Sequence, residues 1–586
     1  MKLVLSTIPV ITCAFFMSCT DILNTAPYNK PASSTMWTSE NLTDMGVAAV
    51  YAQLRNITSG SYGQYAWDEW GCMGHGRSSG GAFNGTITAS NSAFSSLWSR
   101  AYEGIHRAND AIFNIPDKSP VAEAKKARLV AECKFLRAFY YYRLNELFRG
   151  VPIYLEPIKV EECIRTQETE EAVWLQIIDD LTDCINEPNI PDIDRTTGRV
   201  TKGAAYALRG KTYLHRKKYA EAAADFAKVG DCGYELFQGG FKELFAEANE
   251  RCKEMIFSVQ NISDVGYGGT VQFYTGTRSS FGSCWNSFLV SANGVDMYEC
   301  TDGKPFDWDN IIPGFKSMEA KQREVYFLRD TEGASQNVIN AVNTRLNALS
   351  AEAQALYLPS GNEDRIRQAY LNRDPRLGMS VITPYSTYLG VYANADLLTT
   401  LRWPFVNEGN TTANIPNADL WTDSNTQFHY LHRKFVYEGN NPVGLPGRDR
   451  VPIDEPLIRY ADVLLSWAEA LVELDMLAEA AAKVNMVRGR KSVEMPDVIY
   501  ADKDELRAKV RNERRVEFMN EGVNFFDEMR WRTWKESKFD VGGLLYCWGA
   551  VHQPFVWPGD HYYVWPAPVT EVERNPNLKK TAGWIY

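Results

Sequence analysis

Apolar side chains recur every three to four residues along much of this chain, and that rhythm fails over two long stretches. From 40 to 56, Leu42, Met45, Val47, Val50, Tyr51 and Leu54 follow the helical period. The period returns at about 92–114, 119–148, 170–186 and 201–229, and again at 454–489 and 502–534. A further helical stretch is expected near 317–356. The 119–148 segment carries Leu129, Ala131, Phe135, Leu136, Ala138, Phe139, Tyr142 and Leu147, and Gly150 with Pro152 ends it. Asp502 with Glu505 has the form of a capping box, and Gly522 that of a helix stop. The first irregular stretch, 59–95, holds eight glycines among Tyr62, Tyr65, Trp67, Trp70 and Phe83. The second, 255–455, mixes Gly, Asn, Thr, Pro and aromatics with short strand-like or helical pieces. Long irregular segments of this kind are usually functional loops on a rigid scaffold. The tail from 555, rich in Pro and aromatics, is expected to be extended.

The pair at 201–229 carries a repeat. Gly210, Tyr213, Tyr219, Ala222 and Phe226 have the spacing of a tetratricopeptide unit, with small residues where helices approach and aromatics filling the groove. Ala468, Leu471, Leu477, Ala480 and Val484 fit the same spacing downstream. The expected fold class is therefore mainly α. A tetratricopeptide-like helical scaffold is interrupted by a large, loop-rich insertion with short strands.

Composition narrows the chemistry. The 586 residues carry 62 Lys and Arg against 73 Asp and Glu, a net charge of −11 with no basic block, so nucleic acid is not an expected partner. The 11 cysteines form no Cys-x-x-Cys, and no metal or other cofactor is expected. The one close histidine pair, His429 and His432, falls in a strand-like segment that would turn the two rings to opposite sides. The glycines at 59–95 fit neither a Walker loop nor G-x-G-x-x-G. There is no Gly-x-Ser-x-Gly and no His-Glu-x-x-His, and no carboxylate pair stands out for glycoside hydrolysis, so the chain is not expected to be an enzyme.

Residues 1–18 have signal-peptide proportions: Lys2, an apolar run to Met17, then Ser18 before Cys19. The segment is similar to a lipobox, which implies lipidation of Cys19. Residues 19–39 would be a tether, 40–254 an N-terminal helical region with tetratricopeptide-like units, and 255–586 a loop-rich ligand-binding part followed by C-terminal helices.

Several motifs then accumulate. They are Leu136-Arg137-Ala138-Phe139-Tyr140-Tyr141, Asn372-Arg373-Asp374-Pro375-Arg376-Leu377 and Arg459-Tyr460-Ala461-Asp462 with Ala468-Glu469-Ala470. Glu513-Arg514-Arg515-Val516-Glu517 with Phe525-Phe526-Asp527 follows, and Trp565-Pro566-Ala567-Pro568 lies near the end. On these, the chain resembles the SusD/RagB family of outer-membrane nutrient-binding lipoproteins over nearly its whole length. The resemblance implies a SusD-like fold, a lipid-anchored protein facing out from the outer membrane, a glycan ligand and a SusC-like TonB-dependent transporter as partner. An oligopeptide ligand, as in RagB-like members, is the alternative, and a glycoside hydrolase a remote third.

Glu513, Glu517 and Glu521 share one helix face and read as an ion-pair network; Arg373, Asp374 and Arg376 read as a turn fixed by Pro375. Sugar rings have apolar faces that stack on aromatics, and polar side chains bind their hydroxyls. Two loop groups fit that chemistry: Trp67, Trp70, Arg77 and Phe83, and then Tyr267, Tyr274, Arg278, Trp285, Tyr298 and Trp308. Trp70 and Trp285 lead, because each lies among Gly, Ser or Asn. Pairing among Cys72, Cys284 and Cys300 is left open.

Overall fold

The computed structural model describes residues 33–57, 63–78, 80–409, 418–423, 428–441 and 443–586. Cys19, the leader, most of the tether and Tyr62 lie outside the described residues.

Among the described residues ten helices form the scaffold: α1 (Glu40–Ala52), α2 (Ser92–Lys118), α3 (Glu123–Phe148), α4 (Glu170–Asn186), α5 (Lys202–His215), α6 (Tyr219–Asp231), α7 (Tyr460–Glu473), α8 (Leu477–Arg488), α9 (Lys503–Glu517) and α10 (Asn524–Trp531). Side chains start many of them. Ser39, Thr169, Thr201 and Asp502 each accept a backbone N–H of the first turn. Each helix packs on the next from α2 to α6, and α6 packs directly on α7. The array thus continues across the insertion, as the repeated spacing predicts. Its close approaches need glycine. A Cβ at Gly104 would lie 2.6 Å from the Tyr140 ring, and one at Gly210 2.7 Å from Phe226.

The insertion leaves and returns at one place, because Met255–Val259 pairs antiparallel with Glu455–Arg459. Helix was expected from 454, but Glu455–Arg459 is strand. Pro456 disfavours helix at Glu455, and the ladder to Met255–Val259 takes the backbone instead. The continuous helix expected over 317–356 is also broken, into a 3₁₀ turn at Gln322–Phe327, a helix at Gln336–Leu346 and one turn at Ala351–Gln354. Gly333, at φ +74°, and the Ser335 cap reset the chain between the first two. The tail is mostly irregular but contains a helix at Val569–Arg574.

A buried ion lattice locks the insertion to the array. Glu517 accepts from Arg376 at 2.8 Å and Arg459 at 2.7 Å; Glu513 accepts from Arg376 at 2.6 Å and Arg488 at 2.9 Å; Glu521 accepts from Lys434 at 2.6 Å. This is the network expected from the glutamate spacing. Arg373 donates to the carbonyls of Val295, Tyr298 and Ala369, with its guanidinium 3.6 Å from the Phe306 ring centre, a structural role like that read from its turn. Cys72, Cys284 and Cys300 are free thiols. His429 and His432 are both buried, and burial holds each well below the usual imidazole range, at about 3. Among the described residues no helix is long and apolar enough to cross a membrane.

Candidate ligand-binding site

The two sequence groups meet through one sheet. Gly74–Gly76 pairs antiparallel with Phe288–Val290, and the next residue, Arg77, donates its N–H to Ser287 O at 3.1 Å. Arg77 therefore lies beside the loop that carries Trp285. That loop folds back on the short helix Val271–Thr275: Cys284 N donates to Thr277 O, Trp285 N to Phe273 O, and Ser287 N to Tyr274 O. Ser283 (φ +55°) and Asn286 (φ +36°) make the reversals. The Trp285 ring sits 4.4 Å, centre to centre, from Phe273 and edge-on to Tyr274, with the Arg448 guanidinium 4.3 Å over Phe273. Held this way, Trp285 remains 37% exposed.

A second tryptophan joins it. Trp421 is 43% exposed, and its backbone exchanges two hydrogen bonds with Ser279 on the same loop. Asp423 follows. Its N–H donates to Asn286 Oδ1 at 2.7 Å, and its carboxylate accepts Arg77 on one oxygen and Arg278 on the other. All three side chains are partly open to solvent. The face thus combines two exposed indoles with a shared carboxylate between two guanidiniums. Hydroxyl groups can both donate to that carboxylate and accept from the arginines.

The segment under Arg77 is fixed from below by Lys538, whose Nζ donates to Glu69 O at 2.8 Å, Gly71 O at 2.8 Å and Gly74 O at 2.5 Å. Burial pushes Lys538 down to about 7, and pushes the carboxyls of Asp68 and Glu69 up to about 7. Asp68 is tied to the core by the N–H groups of Asn520 and Gly522.

Of the sequence candidates, Arg77, Tyr274, Arg278 and Trp285 are brought together here. Trp67, Trp70 and Phe83 are not presented: they lie in the main core, where Trp67 stacks on Phe525 and Trp70 packs against Phe83, Phe525 and Trp565. Trp70, only 8% exposed, lends no ring face to a ligand. Tyr298 and Trp308 are buried in the insertion's own core, Trp308 stacked on Phe315 with its N–H on Asp296. Tyr267 is exposed, but at a different cleft. Trp421, Asp423 and Arg448 were missed. Trp421 could have been found by the rule that favoured Trp285, a lone tryptophan among Asn, Asp, Ser and Thr. Asp423 had no signal, since its partners are 346 and 145 positions away.

Comparison with known proteins covers nearly the whole chain. The model of the SusD family matches residues 253–584, and a model described as "Starch-binding associating with outer membrane" matches 21–214. SusD-like protein P25 of Formosa agariphila is 22% identical over 581 residues, 96% of this chain and 95% of that one. The starch-binding protein SusD of Bacteroides thetaiotaomicron is 26% identical over 179 residues, 28% of this chain and 31% of its own. A SusD-like carbohydrate-binding protein from Bacteroides fragilis superposes with a TM-score of 0.70 at 22% identity, covering 93% of this chain and all of that one. A laminarin-binding SusD-like protein superposes at 0.63, with 22% identity over 94% of this chain and all of its own. These superpositions establish a shared fold.

Proposed function

This chain belongs to the SusD family, and from that premise we propose that it captures a glycan on the Trp285–Trp421 face and delivers it to a SusC-like TonB-dependent transporter in the outer membrane. The family is one of non-catalytic binding proteins, so the site's task is capture. The observation that carries the reading is the pairing of exposed indoles at Trp285 and Trp421 with the Arg77–Asp423–Arg278 cluster. Pyranose rings stack their C–H faces on indole, while fixed charged groups select the hydroxyl pattern. Because loop hydrogen bonds and the Lys538 anchor preset these groups, little ordering remains to be done on binding.

The ligands of these relatives, starch, laminarin and carbohydrate, support the glycan class. The outer-membrane description of the N-terminal family model and the lipobox-like Ser18-Cys19 support a lipid-anchored protein at the cell surface. Trp285 and Trp421 lie in the insertion and not on the helical array, which supports a division of labour, with ligand on the loops and transporter contact elsewhere.

Titration calorimetry of the chain against oligosaccharides and oligopeptides tests the reading. One glycan class should release heat, and Trp285→Ala or Asp423→Asn should weaken it about 10-fold or more, equal to about 1.4 kcal/mol. Peptide binding with no glycan binding would move the chain to the RagB-like alternative.

A further inference from the structure

A cavity of about 580 Å³ opens beside Tyr267, and none of its lining residues belongs to the Trp285 face. Its lining includes apolar Ala48 and Ala52 of α1 and Val259 at the end of the strand that closes the insertion. Tyr267 stands at its rim on a tight turn, where Tyr267 O accepts from Ile262 N and Tyr267 N donates to Asp264 O. Tyr267 is 59% exposed. An exposed aromatic beside apolar lining suits one face of a ring-shaped ligand.

The charge lining this cavity runs against the rest of the molecule. The chain carries a net charge of −11, yet among the described residues the lining contains Arg55 and Arg199 and no Asp or Glu. Both guanidiniums are held in place. Arg55 donates to Asn261 Oδ1 and Gln260 O, and Gln260 Nε2 donates in turn to Thr197 O at 3.0 Å. Arg199 lies 5.6 Å from the centre of the Tyr51 ring and pairs with the buried Glu132 at 3.1 Å. Glu132 also pairs with Arg128 at 2.9 Å, so one carboxylate serves two guanidiniums, while Asp454 and Glu455 act on Arg55 from outside the lining. Fixed guanidiniums bind carboxylate and sulfate oxygens better than they bind neutral hydroxyls.

We propose that this cavity is a second subsite, which takes an acidic saccharide residue: ring on Tyr267, with a uronate carboxylate or sulfate ester toward Arg55 and Arg199. The inference rests on the glycan reading of the chain and adds a separate site with its own charge preference. It implies that the preferred glycan carries anionic groups along its length, read at a position distinct from the indole face.

The test uses the full chain in calorimetry with four probes. Tetragalacturonate and an alginate tetrasaccharide supply carboxylates, a carrageenan tetrasaccharide supplies sulfate esters, and β-1,4-galactotetraose is the neutral control. At least one acidic probe should bind about 10-fold or more tightly than the neutral one. Its affinity should fall several-fold between about 50 and about 300 mM salt. Tyr267→Ala, a change on the open rim that should leave folding intact, should weaken it about 10-fold and bring it to the affinity of the neutral probe, while Trp285→Ala weakens both probes and keeps the acidic one the tighter. Carboxylate and sulfate probes separate the two anion chemistries. The inference is overturned if no acidic probe binds, if the neutral probe binds equally, or if Tyr267→Ala has no effect. Neutral binding lost in Trp285→Ala, with no acidic binding, would overturn this subsite alone and leave the Trp285 site standing. Binding by no saccharide of either kind would remove the glycan reading itself.

Discussion

Glu469 offers a quantitative check on the buried charges that hold the array together. It lies on α7, and its carboxylate accepts both terminal nitrogens of Arg530, Nη2 at 2.6 Å, and the indole N–H of Trp531 at 3.1 Å. Burial alone would raise its pKa. The Arg530 charge and hydrogen bonds, with Arg514 and Trp531, outweigh burial and hold the carboxyl at about 2, below its ordinary 4.5. The difference between 4.5 and 2, at about 1.4 kcal/mol per pH unit, is worth about 3 kcal/mol of folding stability at neutral pH. A group with a lowered folded pKa contributes fully above its unfolded value and loses that contribution as pH falls toward the folded one. Glu469→Gln keeps the shape and removes the charge, leaving Arg530 with Asp527 at 2.9 Å. Urea unfolding should show the variant about 3 kcal/mol less stable at pH 7, with the gap narrowing from about pH 4.5 and closing near pH 2. The gap between the two proteins is the quantity to read, because other groups slope the opposite way. Asp68, Glu69 and Glu455, raised by burial to about 7, favour the folded state at low pH and lose that contribution as pH rises through 7. A gap that does not change with pH, or one below about 1 kcal/mol at pH 7, would refute the reasoning.

Three further outcomes follow from packing. Trp70→Ala should cost about 3–5 kcal/mol in urea unfolding while leaving the glycan affinity of the folded fraction unchanged, since the ring is in the core; affinity lost with full stability would put Trp70 back at the site. Lys538→Met removes the donor shared by three carbonyls, so amide exchange over 69–77 should quicken and glycan affinity fall; unchanged exchange there would show that the segment holds without its lysine. Gly104→Ala places a methyl 2.6 Å from Tyr140 between α2 and α3 and should cost about 1–3 kcal/mol, read in the same unfolding assay; a neutral result would mean that the helices separate freely.

The helical array was legible because its signals are local. The small and aromatic positions from Gly210 to Phe226 repeat from Ala468 to Val484, and the structure packs α6 on α7 accordingly. The insertion was legible only as an interruption. Its ladders join Met255 to Arg459 and Gly74 to Val290, pairings with no trace in a local window. The aromatic candidates divide for a physical reason. Trp285 and Trp70 both lie beside glycine or small polar residues, and that context was read as exposure. At Trp70 it means close packing: a Cβ at Gly71 would lie 3.1 Å from Phe525 N, and one at Gly74 3.0 Å from Asp68 O. In the other loop the reversals at Ser283 and Asn286 leave the Trp285 indole at the surface. Half of the Trp285 face was visible as Arg77, Tyr274, Arg278 and Trp285. The carboxylate that joins the two arginines was not, because only the folded chain brings Asp423 to them.

The most direct measurement is a crystal structure of the chain with the glycan that calorimetry identifies. A sugar ring should stack on Trp285 or Trp421, with hydroxyls within hydrogen-bond reach of Arg77, Asp423 and Arg278. Glycan bound only elsewhere, with both indoles left bare, would contradict the proposed site.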